Sequence, residues 1–168
     1  GVKMCEAYNK QFQINYKCLM PCNLFGPNDN YDEKNSHFLP ALIKKIYKAK
    51  KNKKNYIKLW GTGKAKREVM HVDDLANACL FFLEKKTKDY LINIGSGIEH
   101  TISDYAKIIM KKFDIKLKIK FSGPKIDGTP RKLLNSKLAK KYGWNSKINL
   151  NKALDLTIDD FIKNKMYK

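Results

Sequence analysis

The 168 residues predict an α/β protein, and three observations carry that prediction. Short apolar runs alternate with segments whose apolar residues recur at helical spacing. Stretches rich in Gly, Asn, Asp and Pro separate them. A hydrophobic content of 43% and an aromatic content of 11% are enough for one packed core. The length suits one domain and is too short for two ordinary ones.

Residues 1–13 read as an amphipathic helix that opens without a capping residue, which predicts a cut end and a longer parent protein. YKCLMPC (16–22) reads as a short buried parallel strand ended by proline. NLFGPNDNYDEKNSH (23–37) reads as a long loop of the kind that carries function. Apolar positions 38, 42, 43, 46 and 47 predict a helix over about 37–50, with Pro40 in its first turn. YIKLW (56–60) and REVMH (67–71) predict two short strands around a Gly-Thr-Gly turn. Asp73 is placed to cap the next helix, on which Leu75, Cys79 and Phe82 would share a face. DYLINIG (89–95) predicts a strand running into the turn SGIEH. Thr101 with Asp104 predicts a capping box, followed by a helix with Ile102, Tyr105, Ile109 and Phe113 on one side. KLKIKF (116–121) alternates as a strand does, and SGPKIDGTPRK (122–132) reads as a second irregular loop. A short helix near 136–142 and a last helix carrying Leu150, Leu154, Ile158 and Phe161 complete the chain.

A formal net charge of +19 suggests an anionic partner, but its make-up argues against nucleic-acid readout. Of the 35 basic side chains only two are arginines, Arg67 and Arg131. Base and phosphate recognition favours the planar, bidentate guanidinium. The lysines are spread over every segment, and only KKIYKAKKNKKN (44–55) is dense enough to form a patch. The reading is therefore of no nucleic-acid partner. No apolar run approaches the ~20 residues of a membrane span and no signal peptide is visible, so no membrane partner and a cytoplasmic location are expected. The four cysteines form no C-x-x-C pair and are expected to be reduced.

Several clusters allow two readings. His37, at a loop-to-helix junction, suits a general acid, or equally a helix cap or a filler of a polar pocket. Trp60 and Arg67 offer an aromatic face and a guanidinium, which suits a base or sugar beside a phosphate. The alternative is a β-hairpin with Trp60 in the core and Arg67 paired to Asp73 or Asp74. His71, Asp73 and Asp74 read as a strand end and helix cap rather than a metal site. The stretch from Asp127 to Lys132 fits either a ribose contact or a surface turn.

Taken in order, PCNLFGPNDN, NSHFLPALI, WGTGKAKREVMHVDDLA, INIGSG and DGTPRKLLN resemble the GDP-L-fucose synthases, a branch of the extended short-chain dehydrogenases/reductases. The likeness spans the chain. The REVMHVDDLA stretch is shared widely among nucleotide-sugar enzymes, whereas NSHFLPAL and DGTPRKLL narrow it to this branch. It implies the C-terminal portion of such an enzyme: the end of a Rossmann-type parallel sheet over about 1–36, and a smaller α/β substrate-binding part over about 37–168. One strand near 89–95 would return to the sheet.

The resemblance further implies NADPH-dependent conversion of GDP-4-keto-6-deoxy-D-mannose to GDP-L-fucose, by epimerisation at C3 and C5 and reduction at C4. It assigns His37 as the catalytic acid near the nicotinamide. Pro21, Cys22, Asn23 and Leu24 would contact NADPH through the backbone. Lys45, Trp60, Arg67 and Asp127 would hold the GDP-sugar, Lys45 standing where the family commonly has arginine. The resemblance places the family's cysteine base, catalytic Tyr-x-x-x-Lys pair and dinucleotide fingerprint upstream of these residues. A homodimer of the full-length protein is also implied.

Overall fold

The computed structural model describes residues 1–32, 35–122 and 128–164. Its elements run α1 (Val2–Phe12), β1 (Cys18–Pro21), β2 (Asn23–Phe25), α2 (Phe38–Lys51), β3 (Tyr56–Trp60), β4 (Lys66–His71) and α3 (Val72–Glu84). There follow β5 (Leu91–Ile94), β6 (Glu99–Thr101), α4 (Ile102–Lys112), β7 (Lys118–Ser122), β8 (Arg131–Lys132), α5 (Lys137–Lys141) and α6 (Leu150–Lys163). The fold is the mixed α/β arrangement that the alternating patterns predict.

Parallel pairing dominates. β1 lies beside β5, β2 beside β4, and β3 beside β7. β4 is the hub: its first half pairs antiparallel with β6 and parallel with β8, and its second half pairs with β2. Side chains alternate across a strand. Val69 accordingly enters one core, with α2, β3, α4 and α6, while its neighbour Met70 enters another, with α3, β5 and α5. One strand thus joins two hydrophobic clusters.

Three sequence expectations about strands need correction. The single strand expected over 16–22 is instead two strands, and the expected loop begins after Phe25. At Cys22 the chain changes sheets: Cys22 N still donates to Ile94 O at 2.9 Å, and from Asn23 onward the backbone pairs with β4. Next, β3 and β4 form no hairpin. Gly63 has φ +72°, and a Cβ there would collide with the Ser103 hydroxyl and the Phe121 ring. Gly63 O and Ala65 O accept from Ser103 N and Ile102 N at 3.1 and 3.0 Å. The start of α4 therefore holds the turn and sends the two strands to different partners. Last, β6 and β8 escape the sequence reading, because two- and three-residue strands have no periodicity of their own.

The helices follow the sequence more closely. α2 buries Leu39, Pro40, Leu42, Ile43, Ile46 and Ala49. α6 buries Leu154, Ile158 and Phe161 as its spacing predicts. In α3 the buried face is Asp74, Ala78 and Phe82; Cys79 is exposed rather than inward. The cap of α3 is also different: the His71 side chain, not Asp73, accepts from Asp73 N at 3.2 Å.

The capping box of α4 is present. Thr101 Oγ1 accepts from Asp104 N at 3.0 Å, and Asp104 Oδ2 accepts from Thr101 N at 3.2 Å and from its hydroxyl at 2.6 Å. The Thr101 hydroxyl, foremost, holds the Asp104 carboxyl below the usual aspartate value. A carboxyl lowered by folding contributes stability that is full above its unfolded pKa and lost as pH falls through the folded one. Asp104→Asn is therefore expected to flatten the acid limb of a urea-unfolding series below about pH 4. An unchanged acid limb would show that the box contributes nothing through charge.

Candidate functional site

Arg67 stands second in β4 and Lys45 within α2, while Pro21 and Trp60 lie at the carboxyl ends of the parallel strands β1 and β3. In open α/β sheets, ligands settle in the crevice at such ends where the connections diverge. Pro21 to Leu24 occupy the point where the chain passes from the β1–β5 sheet to the sheet of β4. The Asn23 side chain donates to Glu68 O at 2.8 Å, anchoring the crossing to β4. Burial, with the nearby Glu68 charge second, pushes the Cys22 thiol up to about 12. It is a neutral packing group, not a nucleophile.

His37 is the N-cap residue of α2, but its imidazole makes no cap hydrogen bond. It is exposed, and its charge acts on the Asp29 carboxyl, which burial foremost raises. Lys45 lies about two turns into α2, and its Nζ donates to Lys58 O on β3 at 3.0 Å. It lines a cleft of about 620 Å³ together with Lys44, Lys48 and Lys58.

Trp60 ends β3 with 69% of its surface exposed, so the alternative of a core tryptophan is overturned. Its position explains this, since Ile57 and Leu59 take the inward face of the strand. Arg67 is half-buried on β4, and its Nη1 donates to Lys66 O at 2.7 Å. It pairs with neither Asp73 nor Asp74. Asp74 is buried and accepts from Lys147 N and Ile148 N, both at 3.0 Å, while Asp73 lies beside His71. Among the described residues the Arg67 guanidinium has no carboxylate partner. Asp127 lies outside the described residues. Its neighbour Gly128 approaches Arg67: a Cβ there would sit 4.0 Å from Nη2.

The structure thus links Lys45 to the strand that carries Trp60, and Asn23 to the strand that carries Arg67. No hydrogen bond or ring contact among the described residues joins Trp60 to Arg67, or His37 to either.

What the sequence reading missed is the support beneath Arg67. Glu68 is fully buried, and its carboxylate accepts from Gly97 N at 2.7 Å, Leu134 N at 2.8 Å and Ser96 Oγ at 3.5 Å. Gly95 has no room for a Cβ because that carboxylate fills the space. Tyr105, also buried, donates to Arg67 O at 2.8 Å. On the outer side, Arg131 Nε reaches both oxygens of Glu99 at 3.0 and 2.8 Å, and fastens β8 beside β4. The available signal was an acidic residue inside the apolar run REVMH, where a lone surface charge is the ordinary reading.

The NAD dependent epimerase/dehydratase family model matches residues 1–95, more than half of the chain. The chain belongs to that family. It is 42% identical to GDP-L-fucose synthase 1 of Arabidopsis thaliana over 98% of its length, covering 51% of that protein. It is 37% identical to the GDP-L-colitose synthase of Yersinia pseudotuberculosis, covering 98% of the chain and 54% of the relative. A GDP-mannoheptose C4 reductase from Campylobacter jejuni, solved with NADP bound, superposes with a TM-score of 0.80 at 26% identity, over 95% of this chain and 56% of that one. The chain spans about half the length of the curated relatives it matches. The expectation that this half is the C-terminal one is set aside, because these matches give its extent and not its place.

Removing the Glu68 side chain would empty a fully buried position and take the acceptor from two part-buried backbone N–H groups, at up to ~1–3 kcal/mol each. Glu68→Ala is expected to lose about 3 kcal/mol or more in urea unfolding. Asp73→Ala, on the solvent side, should stay within about 0.5 kcal/mol. Equal effects would mean that Glu68 organises nothing.

Proposed function

We propose that this chain contributes the GDP-sugar clamp and the proton-donating histidine of an NADPH-dependent epimerase-reductase that converts GDP-4-keto-6-deoxy-D-mannose to GDP-L-fucose. The observation that carries the reading is the pair Trp60 and Arg67. A tryptophan left open at a strand end and a half-buried guanidinium without a carboxylate are both costly unless a ligand meets them. An aromatic face followed by a bidentate donor suits a purine or sugar ring joined to a diphosphate.

In this reading Arg67 forks onto a diphosphate oxygen with the donors that Lys66 O leaves free. Tyr105 and Glu68 hold its backbone still, so that little ordering entropy is lost on binding. Trp60 covers a flat face of the ligand, and Lys45 adds a point charge without fork geometry. Asp127 would accept from a ribose or base donor. His37, exposed at the start of α2, gives up or takes a proton beside the keto group. When bound, NADPH supplies the hydride that reduces C4. The residues here fit one edge of that cofactor: Pro21 and Asn23 stand exposed where the chain changes sheets, and a neutral Cys22 thiol packs behind them. The sequence holds no glycine-rich phosphate loop, and its one Tyr-x-x-x-Lys match, Tyr47 to Lys51, lies within α2 with Tyr47 against the Phe113 and Phe161 rings. The isolated 168 residues are therefore proposed to bind but not turn over.

The colitose synthase and the heptose reductase favour a second reading within the same family, in which the nucleotide is still GDP and the sugar differs. A cytoplasmic location and a homodimer of the full-length protein belong to the same proposal. Among the described residues, no helix is long and apolar enough to cross a membrane.

Tryptophan fluorescence tests the clamp directly, because Trp144 is buried and Trp60 is the one open to ligand. GDP is expected to change the emission saturably and more tightly than UDP. Arg67→Ala should weaken binding by about tenfold or more, and Arg67→Lys by less. No saturable response to GDP, or a preference for UDP, would refute the assignment.

A further inference from the structure

The cleft of about 620 Å³ between α2 and β3 is lined by Lys44, Lys45, Lys48, Lys54 and Lys58. Its volume is that of a small-molecule site. The acidic residue on its described wall is Asp32, which accepts from Asn35 N at 2.8 Å. A cleft lined by one sign of charge focuses potential and draws in ligands of the other sign.

Three ammoniums are placed at this cleft by contacts with its own walls. Lys44 Nζ donates to Tyr31 O and Lys45 Nζ to Lys58 O, both at 3.0 Å, and Tyr31 and Lys58 are lining residues. Lys120 reaches over from β7, its Nζ 4.1 Å from the centre of the Tyr56 ring, which also lines the cleft. An ammonium has three donors, and a carbonyl takes one of them. Lys44 and Lys45 are thus held in position with donors to spare, which lowers the ordering cost of binding. Among the described residues, no carboxylate pairs with Lys44, Lys45, Lys54, Lys58 or Lys120.

The strand register points the same way independently. Lys58 on β3 pairs with Lys120 on β7, and both are exposed. Neighbouring strands lie about 4.8 Å apart, so like charges at paired positions repel. No acidic residue stands in either strand to relieve this, and the relief is left to an anion from solution.

We propose that this cleft binds a linear oligophosphate, free or as the tail of a nucleoside triphosphate, its oxygens accepting from Lys44 and Lys45 and its charge facing Lys54, Lys58 and Lys120. Lysines suit such a chain, because its many oxygens can be met by point charges without the fork of an arginine. The site goes beyond the proposed clamp: Lys45 alone is common to both, and Trp60 and Arg67 do not line the cleft.

The test is titration calorimetry of the 168-residue chain with sodium tripolyphosphate at constant ionic strength. Saturable binding is expected with a Kd on the order of 0.1 mM, and orthophosphate should bind about tenfold more weakly or worse. Lys58→Glu puts a carboxylate beside Lys120 at an exposed position. It should unfold at no lower temperature than the parent, yet bind tripolyphosphate about tenfold or more weakly. Arg67→Ala should leave tripolyphosphate binding as it is. Adenosine triphosphate distinguishes the two sources: tighter binding than tripolyphosphate assigns a nucleotide tail, and weaker binding a free chain, each in support of the site. The proposal is overturned if tripolyphosphate gives no saturable heat, or if orthophosphate or a single-stranded oligonucleotide of equal charge binds as tightly. It is equally overturned if folded Lys58→Glu binds as the parent does, or if Arg67→Ala abolishes binding.

Discussion

A buried carboxylate answered by backbone N–H groups is the interaction on which this architecture turns. Burying an ionised carboxylate costs several kcal/mol, and the structure offsets it with charge-assisted hydrogen bonds rather than a cation. Glu68 on β4 reaches the turn at Gly97 and the segment at Leu134, two places 37 residues apart in sequence and 29 or more from Glu68 itself. Asp74 does the same from the first turn of α3, gathering Lys147 and Ile148 ahead of α6. Among the described residues, neither carboxylate pairs with a lysine or arginine side chain. Lysine heads stay hydrated at the surface, while backbone amides are already inside and need acceptors.

This arrangement gives the two arginines separate tasks. Arg131 is engaged by both oxygens of Glu99 and holds β8 in place. Arg67, opposite His100 and Lys132 in the ladders, keeps most of its donors free while its backbone is held from both sides. A guanidinium fixed in position but not in partner is prepared for an anion that arrives from outside.

What could be read in the sequence was local. The capping box from Thr101 to Asp104 and the buried stripes of α2 and α6 rest on neighbours within a few residues. Strand partnership was not legible, because β4 draws its neighbours from residues 23–25, 99–101 and 131–132, and no periodicity records such pairing. The hairpin expectation failed for that reason, and the sheet change at Cys22 stayed hidden inside one apolar run. Glu68 was passed over because a charge in a strand looks the same from sequence whether it faces water or a core, whereas His71 was legible as a strand end and helix cap. Cys79 went the other way: helical spacing put it on the inner face, but Asp74, Ala78 and Phe82 turned the helix by about one position.

Amide hydrogen exchange tests the central role of Glu68 most directly. In the unaltered chain, Gly97 N–H and Leu134 N–H should be protected along with the amides of β4. In Glu68→Gln, which keeps the shape but removes the charge, both should exchange faster, while the amides of α4 around Ile109 stay protected. If Gly97 and Leu134 exchange freely before the change, or are unaffected by it, the carboxylate does not hold the site together.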